Sequence, residues 1–221
     1  MRFFGLHSDA ILSRVPADEV HRLSPLSQPA SILYGAVSFA LVSSLAYSIW
    51  AFRLISGEGL MYAAIAVIYI AFTGLALSRL VTGPGTATRF AALFAVAFLA
   101  YAVLWSAFWF GLRGKYYADL WGAAVGLAAM TFLIARAFGT TRFFALLLAV
   151  FAFHSAGYYL GGWLYGTIRG PTGRLLWGAA HGLGFGAALG FLLYHVQNPL
   201  KNRLAAATSP ASARLSASIP E

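Results

Sequence analysis

The sequence predicts an all-α, polytopic membrane protein: a bundle of six transmembrane helices with both termini on the cytoplasmic side. Three observations lead there. Of 221 residues, 60% are hydrophobic and only 10% charged, whereas a soluble domain carries about 25% charged residues. Mean hydropathy is +0.76. The apolar residues also fall into six runs, each close to the ~20 residues that a helix needs to cross the hydrocarbon core.

In chain order, residues 1–30 form a tail with Asp9, Asp18 and Glu19 but no continuous apolar core of the kind a cleavable signal needs. The first span is therefore expected to act as its own uncleaved signal. Within this tail, residues 8–22 predict a short amphipathic helix broken or capped near Pro16. The six runs cover 31–52, 59–80, 89–112, 117–137, 142–166 and 174–196. Between them stand Ser56-Gly57-Glu58-Gly59, Gly83-Pro84-Gly85, Arg113-Gly114-Lys115, Gly139-Thr140-Thr141 and Arg169-Gly170-Pro171. Residues 31–197 make one membrane domain. Residues 198–221, rich in Ser, Ala and Pro, predict a disordered cytoplasmic tail.

Orientation follows from the rule that Lys and Arg favour the cytoplasmic side. The N-terminal tail (Arg2, Arg14, Arg22), the second and fourth loops (Arg79, Arg89, Arg136, Arg142) and the C-terminal tail (Lys201, Arg203, Arg214) lie on one side. Arg53, Arg113, Lys115, Arg169 and Arg174 lie on the other. The richer side carries both tails, which points to a bacterial cytoplasmic (inner) membrane with N-in, C-in topology. Trp50, Trp109, Trp121, Trp163 and Trp177 are expected at the interfaces. The net charge of +9 comes from cations at span ends, facing anionic headgroups rather than nucleic acid. The absence of cysteine excludes disulfides and thiolate chemistry. No proline interrupts a span, so continuous helices are expected, and membrane carboxylates are too few for familiar ion-coupled transport.

The last two spans differ from the rest. Gly178, Gly182, Gly186 and Gly190 form a ladder at spacing four, and Gly157 and Gly161 repeat the spacing in the fifth span. Such faces let another backbone approach closely. They either pack within the chain or receive a lipid, a pigment or a partner helix. The same spans carry His154, Ser155, Tyr158 and His181, with Asp119 opening the fourth span within possible reach. Ionisable groups at membrane depth are a candidate site by default. By helical rise, Tyr158 and His181 share a depth and His154 lies about one turn deeper. Four readings follow: a hydrogen-bonded interhelical pair such as His181 with Tyr158, a haem held by two imidazoles, a metal site lacking carboxylate ligands, and a Ser155–His181 hydrolase lacking an oxyanion motif.

Three stretches resemble the rhomboid superfamily: AFTGLALSRLVTGPGTATRF (71–90), WGAAVGLAAM (121–130) and AAHGLGFGAALG (179–190). The resemblance places His181 at the catalytic histidine. Trp121 stands at the serine, no His or Asn of the second span offers an oxyanion site, and the first loop is short. It therefore implies a non-proteolytic relative that binds transmembrane segments or lipids.

The preferred expectation is a non-catalytic subunit, assembly factor or client-binding module acting through the Gly-rich faces, with another membrane protein or a second copy as partner. The second is a binder of a hydrophobic ligand or cofactor (lipid, carotenoid or haem) near His154, Tyr158 and His181. The third is an intramembrane enzyme using His181 with Ser155 or Asp119.

Overall fold

The computed structural model describes residues 3–16, 19–20 and 23–207. It is 83% helical and has no strand among the described residues. Among the described residues, a short 3-10 turn (Phe3–Gly5) is followed by eight helices: α1 (Ser8–Leu12), α2 (Gln28–Ala51), α3 (Glu58–Leu80), α4 (Thr86–Gly111), α5 (Ala118–Phe138), α6 (Phe143–Ile168), α7 (Gly170–Val196) and α8 (Asn198–Ala207). Helices α2 to α7 are the six apolar spans, 21 to 27 residues long. At ~1.5 Å per residue, even the shortest covers the ~30 Å of a hydrocarbon core.

The observed ends differ from the hydropathy limits where capping chemistry extends a helix. Helix α2 starts three residues early because the Ser27 hydroxyl accepts from the Ala30 amide (3.4 Å) and Pro29 fits the first turn. Helices α6 and α7 are joined by Arg169 alone, with Pro171 in the first turn of α7. Two predicted tail features change. The helix expected over 8–22 is Ser8–Leu12, with residues 17, 18, 21 and 22 outside the described set. The expected disordered tail is helical over 198–207, because Leu200 and Leu204, one turn apart, bury against Ile11. Arg203 pairs with Asp9 to hold that contact. The Lys201 amine donates to the Tyr194 carbonyl (2.7 Å), and burial lowers its pKa to about 8. Residues 208–221 lie outside the described set.

Packing is organised around α7, which lies between α2 and α6. The α2–α7 pair is antiparallel and close. A Cβ on Gly190 would strike the Ser31 carbonyl, one on Gly186 the Gly35 carbonyl, one on Gly182 the Ala40 backbone, and one on Gly178 the Tyr47 ring. On the other side, Gly157 meets Gly184 and the Ala180 carbonyl, while Gly161 takes Trp177. The two Gly-rich faces are thus filled by neighbouring helices of the same chain.

Helix α3 runs unbroken, as expected, but its hydrogen-bond register changes part-way. A π-helical turn at Tyr69–Thr73 divides it. No residue of its first half, Glu58–Ile68, is buried, whereas Thr73, Gly74, Leu77 and Leu80 of the rest are. The turn is pinned by a polar relay: the Tyr69 hydroxyl donates to Ser43 Oγ (2.7 Å), which donates to the Gly178 carbonyl (2.6 Å). Three helices meet at those two bonds.

Candidate functional site

The two histidines come together in the core. His154 of α6 is 2% exposed and His181 of α7 is 7% exposed. Their Nε2 atoms lie 3.2 Å apart, so one imidazole donates to the other. Tyr101 of α4 is 2.9 Å from His154 Nε2, and Tyr47 of α2 is 3.4 Å from His181 Nδ1. A chain of four side chains, Tyr47, His181, His154 and Tyr101, therefore links four helices. Burial makes those bonds necessary, since an unpaired polar group in an apolar core is costly. His154 Nδ1 is left without a partner.

This differs from the expected His181–Tyr158 pair. Tyr158 lies edge-on to the His181 ring (centroids 5.6 Å) and parallel to the His154 ring (6.3 Å, 7°). Gly157 stands opposite Ala180 and Gly184, and Gly161 opposite Trp177, so Tyr158 and His181 do share a depth; the glycine-stripped α6–α7 seam brings the helices close enough for His154, one turn deeper, to reach across as well. Ser155 and Asp119 do not join the histidine pair. They share a narrow crevice with Tyr158, Tyr159 and the back of His154, and the Asp119 carboxylate accepts from the Leu120 amide (2.9 Å).

The arrangement decides between several chemistries. Two axial imidazoles on one iron would hold their nitrogens about 4 Å apart, at about 2 Å per metal–nitrogen bond; here the pair stands at hydrogen-bond distance, 3.2 Å. Among the described residues, no group of three His, Asp or Glu is placed to hold a metal ion. His181 bonds His154 through Nε2, its Nδ1 has Tyr47 at a long 3.4 Å, and neither contact is to Ser155.

Beside the chain lies a cavity of about 870 Å³. His181, Tyr101, Tyr47, Tyr158, Phe185 and Trp177 form its inner wall. Its outer part lies between the unburied first half of α3 and the second half of α4, where Trp105 and Trp109 stack one turn apart (5.3 Å, 11°). Tyr62 of α3 props against Trp105 (5.6 Å) and Phe110 (5.9 Å), and the Trp109 indole donates to Glu58 (3.2 Å). Large rings thus hold the two helices apart while tying them together. Leu99, Val103 and Phe110, all on the outer surface, also line the cavity, so it opens sideways between α3 and α4.

Of the five tryptophans expected at the interfaces, Trp50, Trp109 and Trp177 also line this cavity, as does Trp105. Trp121 and Trp163 are exposed on the outer surface. Tyr47 and Tyr101 were missed as histidine partners; a hydroxyl at membrane depth is the signal that could have raised them, but six spans hold many. No protein-family model, curated protein or solved structure matches this chain.

Proposed function

We propose that the protein binds a hydrophobic small molecule drawn from the bilayer. The observation that carries this reading is the cavity of about 870 Å³, aromatic on nearly every side and open toward lipid between α3 and α4. Small-molecule sites are typically 300 to about 1,000 Å³, mostly apolar, with a few polar groups that set orientation. Here the Tyr47–His181–His154–Tyr101 chain supplies the polar end. The Gly-rich faces of α6 and α7 are filled within the chain, so an outside helix would have to displace α2. That removes the main support for a client docking on those faces.

The cation bias of the tails and of the second and fourth loops supports N-in, C-in insertion in a bacterial cytoplasmic membrane. On that orientation the cavity faces the outer leaflet. The likeness to rhomboids fits a non-proteolytic relative, because Trp121, at the serine position of that likeness, is 56% exposed and stands outside the cavity.

The test is a native mass spectrum of protein gently solubilised from its own membrane. The expected result is extra small-molecule mass on the 23.6 kDa chain, lost when Ala66, on the cavity wall, is replaced by Phe. A bare wild-type chain, or retention by Ala66→Phe equal to wild type, would overturn the reading.

A further inference from the structure

We infer that the ligand is a neutral lipid with a flat, oxygen-bearing head, the chemistry of isoprenoid quinones and their phenols. The inference rests on the ligand-binding reading and specifies what the cavity selects.

The first reason is charge. No Lys or Arg lines the cavity, and its one carboxylate, Glu58, stands at the exposed rim. Arg174, which touches the lining residue Trp50, is engaged by the Trp50 carbonyl (3.1 Å) and lies over the Trp50 ring (4.9 Å). A phosphate headgroup inside would lose its hydration with no cation to replace it, beside an acid at the entrance.

The second reason is the state of the tyrosine hydroxyls on the wall. Tyr69 is satisfied by Ser43 at 2.7 Å and Tyr101 by His154 at 2.9 Å. Tyr47 reaches His181 only at 3.4 Å, beyond the usual range for a good hydrogen bond. The Tyr62 and Tyr158 hydroxyls make no hydrogen bond among the described residues. Three hydroxyls around one apolar space call for oxygen atoms on the ligand, either carbonyl acceptors or phenol groups that both give and take.

The third reason is shape. Trp105 and Trp109, stacked parallel on each other, and Tyr62, tilted against Trp105, line this part of the cavity with aromatic surface, which favours packing against a flat conjugated ring. An unsaturated tail would leave past Leu99 and Val103 into the bilayer.

The experiment uses the full chain in quinone-free phosphatidylcholine nanodiscs, titrated with decylubiquinone and read by tryptophan quenching together with native mass spectrometry. Saturable binding is expected, weakened about tenfold by either Tyr47→Phe or Tyr158→Phe, the effect of one lost hydrogen bond in an apolar site. Ala66→Phe should abolish it, and phosphatidylglycerol should not compete. Should squalane bind as tightly as decylubiquinone, or both Tyr→Phe variants bind like wild type, the head-group inference falls while the ligand-binding reading stands. Displacement by phosphatidylglycerol would also overturn it. If no probe binds and native spectra of membrane-extracted protein show no retained molecule, both fall together.

Discussion

The two ends of the bundle are built from the same apolar alphabet and pack in opposite ways. At the end carrying the tails, glycine meets backbone along α2 and α7, the second half of α3 is buried, and the connecting segment of α3 and α4 is tied to α7. At the other end, tryptophan and tyrosine stand between α3 and α4, nothing in the first half of α3 is buried, and a cavity of about 870 Å³ remains. Helix α3 belongs to both ends, and its π turn at Tyr69–Thr73 is where one regime gives way to the other. The comparison teaches that a membrane bundle without a hydrophobic force between its helices closes where side chains vanish and stays open where rings interpose. The closed end carries the tight packing, and the open end holds the cavity proposed as the binding site.

If that division is right, one methyl group should have very unequal consequences at the two ends. A Cβ on Gly186 would fall on the Gly35 carbonyl and on Phe39, so Gly186→Ala should cost about 3 kcal/mol, the upper range for overpacking. Gly59, at the cavity rim, has nothing within 4 Å of its ideal Cβ, and Gly59→Ala should be close to neutral. Thermal unfolding of both variants in the same detergent checks the pair. Equal losses would show that the cavity end is packed as tightly as the seam.

The next largest effect belongs to Gln197, which binds the closed end together. It is 4% exposed; its amide donates to the carbonyls of Leu80 and Leu193 (2.8 Å each), and its Oε1 accepts from the Thr82 amide (2.9 Å). Gln197→Ala leaves those backbone groups without their partner, at a cost of about 2 kcal/mol. It should also release hydrogen-exchange protection at Thr82 while sparing Tyr62 in the first half of α3. Loss of protection along the whole of α3 would mean that the two ends do not open independently.

How legible these ends were differs for a physical reason. Spans, loops and the two membrane histidines could be read because each is a local property: length of an apolar run, a glycine turn, an ionisable group at depth. The partner of Gly186 could not, since whether a small-residue face meets a helix of its own chain or another depends on which helices become neighbours. The π turn had no signal either, because Tyr69-Ile70-Ala71-Phe72-Thr73 contains neither proline nor glycine and is held by Ser43 of another helix. The cavity is legible least of all, since it is defined by groups that fail to meet. The site was therefore half read: His154, His181 and Tyr158 from the sequence, Tyr47 and Tyr101 only from the fold.

The smallest predicted effect lies in the turns and separates the ends once more. Three helices finish in the same backbone motif, in which the residue after the cap is left-handed and the next amide reaches back to the carbonyl five residues earlier. At the closed end this position is Gly139 (φ 78°), with the Thr140 amide on the Ala135 carbonyl (3.0 Å). At the cavity end it is Arg53 after α2 and Arg113 after α4 (φ 54° each), with Leu54 on Ile49 (3.0 Å) and Gly114 on Trp109 (2.9 Å). A residue bearing a Cβ pays about 1 kcal/mol for that conformation, and glycine does not. An arginine there gives some of it back by placing a cation at the negative end of a helix dipole, worth about 0.3 to 1 kcal/mol where exposed. Arg113→Gly should therefore stabilise the protein slightly, by about 0.5 kcal/mol, and Gly139→Arg should destabilise it by about the same amount. Both are read as shifts in unfolding midpoint. A loss of stability in Arg113→Gly would show that the guanidinium, rather than the backbone, governs the turn beside Trp109, making this arginine part of the cavity's rim.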